Sequence, residues 1–230
     1  VSWLTEQDGK LFDVVSYVDN GDNTYVNVDG YNAKRNTKTL EQLATECDLI
    51  LSLGYWKIIS SEIISSVPFG IVNLHHSYAL QYRGRHCASW AIIGEGPTHG
   101  STLHYMSAKL DDGPIIATKS VPIFDNDTAY NLFMRANEAG LEIVKESLPK
   151  ILDDETRSKI LTFKPQRPFA THKAKDLNHE IDINLLKWPG QFERMVRALT
   201  YPGFQKPYIV DNGRKIFLEV ENEEDCNMPR

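Results

Sequence analysis

The sequence contains no apolar run that approaches the roughly 20 residues a membrane-spanning helix needs. It has no recognisable signal peptide and no internal repeat. Its three cysteines, Cys47, Cys87 and Cys226, stand at unrelated spacings, so neither a disulfide framework nor a zinc ribbon is expected. We therefore expect a protein of the reducing cytoplasm, without a membrane partner.

A basic surface is also missing. The formal net charge is −6, which argues against binding nucleic acid through phosphate contacts, because those need clustered lysine and arginine. Seven histidines are present, but no pair stands at a metal-ligand spacing such as His-Glu-x-x-His. These absences favour a small-molecule ligand and no metal.

The length of 230 residues is enough for one full domain and a smaller appendage. The segment at residues 163–169 carries two prolines and is typical of a linker, since neither helix nor strand tolerates them so close together. We therefore predict a main domain over residues 1–162 and a C-terminal subdomain over residues 163–230.

Short apolar runs at residues 48–53 and 70–77 predict buried parallel strands, with a short helix near residues 61–66 between them. Strand-like residues 101–106 and 114–122 flank Asp111-Asp112-Gly113, a turn signal that predicts a hairpin with Asp111 at its entrance. A strand is also expected at residues 12–18, but without the glycine-rich turn of a first βα unit, which therefore looks shortened. The predicted fold class is α/β, Rossmann-like, with a mostly parallel sheet.

Two helices and a second hairpin are predicted further along the chain. Asp127 is expected to cap a helix that runs to about Leu152. Its apolar face comprises Leu132, Phe133, Ala136, Ile143, Val144 and Leu148. In the C-terminal part, Pro189 suits a first helical position. The apolar face of that helix comprises Phe192, Met195, Val196 and Leu199. Residues 207–210 and 215–220 then flank Asp211-Asn212-Gly213, a hairpin turn.

The chemistry-bearing residues stand at the end of the second predicted strand. Residues two apart in a strand share a face, so Asn73, His75 and Ser77 are expected to line one side at its carboxyl end, where open α/β sheets bind ligands. If the hairpin folds back, Asp111 joins them. An amide and a protonated imidazole could stabilise an oxyanion, and a carboxylate could take a proton from an attacking amine. Each residue alone is more often structural than catalytic.

The order of several motifs resembles one family. The run Asn73-Leu74-His75-His76-Ser77 is followed by Tyr82-Arg83-Gly84, then by His99-Gly100-Ser101-Thr102-Leu103-His104, then by Leu110-Asp111-Asp112-Gly113. This order closely resembles the 10-formyltetrahydrofolate-dependent formyltransferases over residues 48–152. The resemblance implies that Asn73, His75 and Asp111 form the catalytic triad and that His104 supports it.

The resemblance also implies two binding regions and 10-formyltetrahydrofolate as co-substrate. The folate side falls on Tyr55, Trp56, Lys57, Ile58, Ile59, Met106 and Ala108. For Trp56 and Ile58, core or lid packing is the alternative. The acceptor side falls on Ser77, Tyr78, Arg83, Gly84 and Arg85. The two arginines suit a diphosphate, and a solvated basic loop is the alternative there.

The C-terminal segment at residues 197–204, with the hairpin that follows, looks similar to the tail of bacterial sugar N-formyltransferases. That likeness implies a nucleotide-linked amino-dideoxysugar, with a 3-amino or 4-amino group, as acceptor for surface polysaccharide such as O-antigen. It also implies a homodimer through the C-terminal region, and an ordinary capping hairpin is the alternative there. The alternatives left open are a formyltetrahydrofolate hydrolase, a glycinamide ribonucleotide formyltransferase-like enzyme and a catalytically silent ligand-binding module.

Overall fold

The computed structural model describes residues 39–55, 57–161 and 171–220. The expected strand at residues 12–18, Trp56 and the expected linker at 163–169 lie outside the described residues, and so does the predicted domain boundary. The helices are α1 (Leu40–Ala44), α2 (Ser61–Ser66), α3 (Cys87–Ile93), α4 (Ala129–Ile151), α5 (Asp154–Leu161) and α6 (Gln191–Ala198). The strands are β1 (Ile50–Leu53), β2 (Ile71–His75), β3 (Arg83–Gly84), β4 (Thr98–Tyr105), β5 (Ile115–Pro122), β6 (Thr171–His172), β7 (Tyr208–Asp211) and β8 (Arg214–Phe217).

A four-stranded sheet with the order β1-β2-β4-β5 forms the centre of the fold. β1 and β2 pair in parallel, with Ile50 opposite Ile71 and Leu53 opposite Leu74. The helix predicted between these strands is α2, and it occupies the expected residues. The α/β fold class expected from the sequence is confirmed, with helices alongside a mixed sheet.

The hairpin predicted around Asp111 is present between β4 and β5. Tyr105 N donates to Pro114 O at 2.9 Å near the turn, and Ile123 N donates to Pro97 O at 3.0 Å at the far end. Pairing in this reversed order means that the two strands run in opposite directions. The hairpin therefore returns the chain beside β4 and fixes the loop that carries Asp111.

The described residues form two compact units. The first comprises described residues among 1–75, 103–117 and 142–166, and the second comprises those among 76–102, 118–141 and 167–230. One core of the first unit contains Val72, Leu74, Leu103, Tyr105, Ile143, Val144 and Ile151. One core of the second contains Ala88, Ala91, Ile92, Val121, Ala129, Leu132, Ala136, Ala139 and Ala198. No helix in the described part of the chain is long and apolar enough to cross a membrane.

The long helix begins one residue later than its predicted cap allows. α4 starts at Ala129, and Thr128 Oγ1 accepts from Asn131 N at 3.2 Å, so Thr128 is the N-cap and the prediction of Asp127 was wrong. The Asp127 carboxylate instead accepts from Phe124 N at 2.7 Å and from Arg135 through bonds of 2.9 and 2.6 Å. Asp127 thus anchors the segment that enters the helix.

The C-terminal helix also begins later than predicted. α6 starts at Gln191, with Gly190 as N-cap at φ 80, so Pro189 precedes the helix and is not its first residue. The predicted apolar face is confirmed, because Val196 and Leu199 are buried and Phe192 and Met195 pack against them. The signal of apolar spacing was correct, whereas proline alone did not locate the start.

The second predicted hairpin is confirmed. β7 and β8 pair antiparallel, with Val210 opposite Lys215 and Asp211 opposite Arg214. Asn212 and Gly213 between them have φ values of 47 and 75. Two successive residues with positive φ are what a two-residue hairpin turn of type I′ requires, and Asn-Gly is its preferred pair.

Candidate active site

Strand β2 positions the first two site residues. Asn73 and His75 are separated by one residue in an extended strand, so their side chains leave the same face of the sheet. Asn73 is half-buried, and His75 is 9% exposed at the last position of the strand. The flanking Val72 and Leu74 fill the core on the other face. The apolar–polar alternation of the sequence therefore sets which side chains reach the site.

The β4–β5 hairpin brings a carboxylate to the same place. Asp111 Oδ2 lies 3.7 Å from His75 Nδ1, and Asp111 Oδ1 lies 3.7 Å from His104 Nε2. Both distances exceed a direct hydrogen bond, so the contact is electrostatic. All three side chains are at most 10% exposed, and little solvent screens the attraction between Asp111 and a protonated imidazole.

The hydrogen bonds of His104 determine which tautomer its neutral ring adopts. Its Nδ1 lies 2.8 Å from Tyr105 O, and a carbonyl oxygen only accepts, so Nδ1 carries the proton. In the neutral ring Nε2 is then an acceptor. Asn73 Nδ2 lies 3.3 Å from Nε2 and donates one of its two N–H groups there. His104 thereby orients the Asn73 amide and leaves its second N–H available.

Two backbone features hold Asp111 in place. Its φ is 46, in the left-handed region that aspartate tolerates better than most side chains. Gly113 lies where the backbone closely approaches that of Tyr105, since a Cβ built on Gly113 would lie 1.8 Å from Tyr105 O. Only glycine fits this approach, so the Asp-x-Gly spacing serves the position of the carboxylate as well as the turn.

Asn73, His75, His104 and Asp111 therefore come together within the first unit. They supply an amide donor, two imidazoles and a carboxylate over one end of β2. Such a set can stabilise a developing oxyanion and accept a proton.

The residues predicted for the folate side also lie in the first unit. Ile59 and Met106 belong to distant segments, yet both pack on the cluster around Val67 and Ile71. Ile58, which immediately precedes Ile59 in sequence, is 92% exposed, an unusual state for a large apolar side chain. Tyr55 is half-buried, and Lys57 and Ala108 are exposed. The two segments thus pack on one apolar cluster, while the side chains of Lys57, Ile58 and Ala108 are exposed.

The residues predicted for the acceptor side lie in the second unit. Ser77 is fully buried and structural in its contacts: its Oγ accepts from Tyr82 N at 2.8 Å, and its carbonyl accepts from Thr102 Oγ1 at 2.6 Å. Arg83 is 7% exposed, whereas Arg85 is exposed and Tyr78 is half-buried. Of the two arginines, Arg85 is the exposed one.

Sequence reasoning missed the segment that fixes this loop. β6 pairs in parallel with β3, so that Gly84 lies opposite His172, and Arg85 N donates to His172 O at 2.9 Å. A Cβ on Gly84 would lie 2.2 Å from that oxygen. The His172 ring stacks on Trp90 at 4.3 Å. Pairing between segments so far apart leaves no local pattern, and Gly84 was the only available signal.

Among the described residues, no group of three or more His, Cys, Asp or Glu side chains is placed to hold a metal ion.

Comparison with known proteins points to one family. The family model described as formyl transferase matches residues 20–148. A curated relative, methionyl-tRNA formyltransferase of Listeria monocytogenes, is 30% identical over 147 residues, which are 64% of this chain and 46% of the relative. The chain thus spans less than half the length of that relative.

Two of the solved structures that resemble the chain are formyltransferases. A 4-N formyltransferase from Francisella tularensis has a TM-score of 0.71 at 23% identity, covering 82% of this chain and 76% of that one, which shows a shared fold. A formyltransferase from Anoxybacillus kamchatkensis, in complex with UDP-4,6-dideoxy-4-formamido-L-AltNAc and tetrahydrofolate, has a TM-score of 0.57 at 25% identity, covering 76% and 82%.

Proposed function

The chain belongs to the formyl transferase family, whose model matches more than half of it, and we propose that it transfers a formyl group from 10-formyltetrahydrofolate to the amino group of a nucleotide-linked amino-dideoxysugar. The observation that carries the proposal is the convergence of Asn73, His75 and Asp111, with His104 behind them, on one end of β2.

The first part of the mechanism is stabilisation of charge. When the amine nitrogen attacks the formyl carbon, negative charge develops on the carbonyl oxygen. The remaining N–H of Asn73 and a protonated His75 would donate to that oxygen, as an oxyanion hole does. The Asp111 carboxylate, 3.7 Å from His75 Nδ1, favours the cationic imidazole that this role needs.

The second part is movement of protons. The attacking nitrogen becomes cationic as its bond to the formyl carbon forms, and Asp111 would take its proton directly or through a water. The bond between the formyl carbon and N10 of the folate then breaks, and N10 leaves with the proton that Asp111, directly or through the water, took from the amine. The products are the formamido sugar and tetrahydrofolate.

The co-substrate is supported by the chain and by a relative. The exposed loop around Ile58 and the segment around Met106 meet on one apolar cluster, as two walls for a flat ring would. The Anoxybacillus kamchatkensis formyltransferase, at 25% identity, is bound to tetrahydrofolate and to a UDP-linked 4-formamido sugar. The same complex supports a nucleotide-linked amino sugar as acceptor here.

A nucleotide-linked amino sugar as acceptor implies where the enzyme acts and how its product is used. The enzyme would act in the cytoplasm, and its product would enter surface polysaccharide such as O-antigen. The C-terminal hairpin supports a homodimer, because Val210, Ile216 and Phe217 expose 48%, 46% and 56% of their area on it. Light scattering of the chain and of an Ile216→Asp variant would test that association.

The proposal is tested by measuring tetrahydrofolate release from 10-formyltetrahydrofolate. The assay uses a panel of nucleotide-linked 3-amino and 4-amino dideoxysugars, with glycinamide ribonucleotide and a no-acceptor sample as controls. We expect release only with an amino-sugar nucleotide. Release without any acceptor would instead identify a hydrolase, and release with glycinamide ribonucleotide would identify the purine-type enzyme.

A further inference from the structure

A rigid turn in the second unit holds an aromatic ring in solvent. Phe204 N donates to Tyr201 O at 3.2 Å across Tyr201-Pro202-Gly203-Phe204, and Gly203 has φ 80. Proline followed by a glycine with positive φ is the signature of a type II turn. Phe204 is nevertheless 56% exposed. The backbone thus fixes the position of a ring that the core does not cover.

Two neighbouring rings fix the orientation of Phe204 without stacking on it. Tyr201 meets it at 5.1 Å between ring centroids and 87° between planes, and His86 meets it at 6.0 Å and 85°. Perpendicular contacts of this kind are favourable for aromatic pairs. Since neither neighbour lies parallel to Phe204, neither uses it as a stacking surface.

Polar residues are linked to this ring through His86, which contacts it and follows Arg85 in the chain. Arg85 is exposed, and its backbone is held by the bond to His172 O. Burial, the nearby His179 and Arg85 lower the pKa of His86, in that order, which disfavours the charged form of this imidazole. Burial also lowers the pKa of His179, and a bond to the backbone of Gln205, next to Phe204, partly offsets it.

His179 retains an unused polar atom. Its Nδ1 is buried, and no group in the described part of the chain bonds it. A buried ring nitrogen without a partner is unfavourable unless a water or a ligand supplies the bond. The cluster therefore combines a fixed aromatic face, one exposed cation and an unfilled hydrogen-bonding position.

We propose that Arg85, His86, His179 and Phe204 form the site for the nucleoside diphosphate end of the acceptor. The nucleobase stacks on Phe204, because stacking tolerates any base and needs a flat, accessible ring. Arg85 binds the diphosphate oxygens through charge-assisted hydrogen bonds. The inference rests on the proposed function, since it assumes that the acceptor carries a nucleotide.

The test is binding of UDP, dTDP and inorganic pyrophosphate to the full chain by titration calorimetry. Phe204→Ala should weaken both nucleotides roughly tenfold, the scale of one base–aromatic stack, and leave pyrophosphate unchanged. Arg85→Ala should weaken all three ligands. The matched controls are Phe124→Ala, an aromatic ring of the same unit that is 50% exposed, and Lys175→Ala, an exposed cation of the same unit. Both controls should bind like the unmodified chain.

Equal nucleotide affinities for Phe204→Ala and Phe124→Ala would overturn the site, as would a parent chain that binds neither nucleotide. Thermal unfolding of every variant shows whether a loss reflects misfolding, and His86→Gln provides a second, milder change at the same cluster. In the release assay, Phe204→Ala should raise KM for the amino-sugar nucleotide and leave kcat near that of the parent chain. Nucleotide binding that depends on Phe204 without any formyl transfer would sustain the site and reject the proposed function.

Discussion

At the scale of single residues, the site depends on charge held at short range. Asp111 faces two imidazoles at 3.7 Å, so removing its charge while keeping its shape is the cleanest perturbation. Asp111→Asn suits the left-handed backbone there and should lower kcat for tetrahydrofolate release by roughly a hundredfold to a thousandfold, as should Asn73→Ala and His75→Ala. Asp112→Asn, one residue away, is the control. Near-normal turnover in His75→Ala would contradict the mechanism.

His104 can be tested separately, because its two ring nitrogens make different hydrogen bonds: Nδ1 donates to Tyr105 O, and Nε2 accepts from Asn73. A glutamine at this position reaches about as far as Nε2 and can still accept from Asn73, whereas an asparagine reaches only as far as Nδ1. We expect His104→Gln to keep at least about a tenth of the kcat and His104→Asn to lose roughly a hundredfold, the scale of one oxyanion donor. The same release assay measures both. Equal losses would mean that His104 does not orient Asn73.

At the scale of elements, the β4–β5 hairpin joins stability to the site. A Cβ at Gly113 would lie 1.8 Å from Tyr105 O, so Gly113→Ala must open the turn and displace Asp111. Urea unfolding should show that the free energy of unfolding falls by roughly 2 kcal/mol or more, and kcat should fall as well. Gly96→Ala is the control, since its nearest atom is 3.8 Å away. A stable, active Gly113→Ala enzyme would show that the close approach is unimportant.

The elements also show what the sequence could predict. Period-two alternation located Asn73 and His75, and Asp-x-Gly located the turn at Asp111, because both signals are local. The sequence assigned the α4 cap to Asp127, but the adjacent Thr128 takes that role. The Asp127 carboxylate instead accepts hydrogen bonds from Arg135, a contact that the sequence did not predict. α5 was missed because its eight residues show little apolar periodicity, although Asp153 caps it through Thr156 N at 2.8 Å.

At the scale of the whole molecule, the α/β class followed from the spacing of apolar runs, but the meeting of distant segments did not. Ile59 and Met106 share one cluster, and His172 pairs with Gly84, through contacts that only the folded chain creates. Resemblance to a family assigned roles to some of these positions. It did not assign one to Phe204, whose turn and neighbours become informative only in three dimensions.

Acidification should lower the free energy of unfolding through two histidines of the second unit, His86 and His179. Burial is the largest cause that lowers the pKa of His86 and of His179 below their ordinary value of 6.5. Between each folded pKa and 6.5 the unfolded chain binds more protons, so the free energy of unfolding rises with pH there and falls on acidification.

Urea unfolding at a series of pH values from about 7.5 to 5 measures this step. The double variant His86→Gln, His179→Gln should flatten the decline. Glu41→Gln should leave it unchanged, because hydrogen bonds lower the pKa of that exposed carboxyl from 4.5 and its titration lies at still lower pH. An unaltered decline in the double variant would mean that other groups carry the acid sensitivity. Those two imidazoles would then be as accessible to protons in the folded chain as in the unfolded one, contrary to their burial.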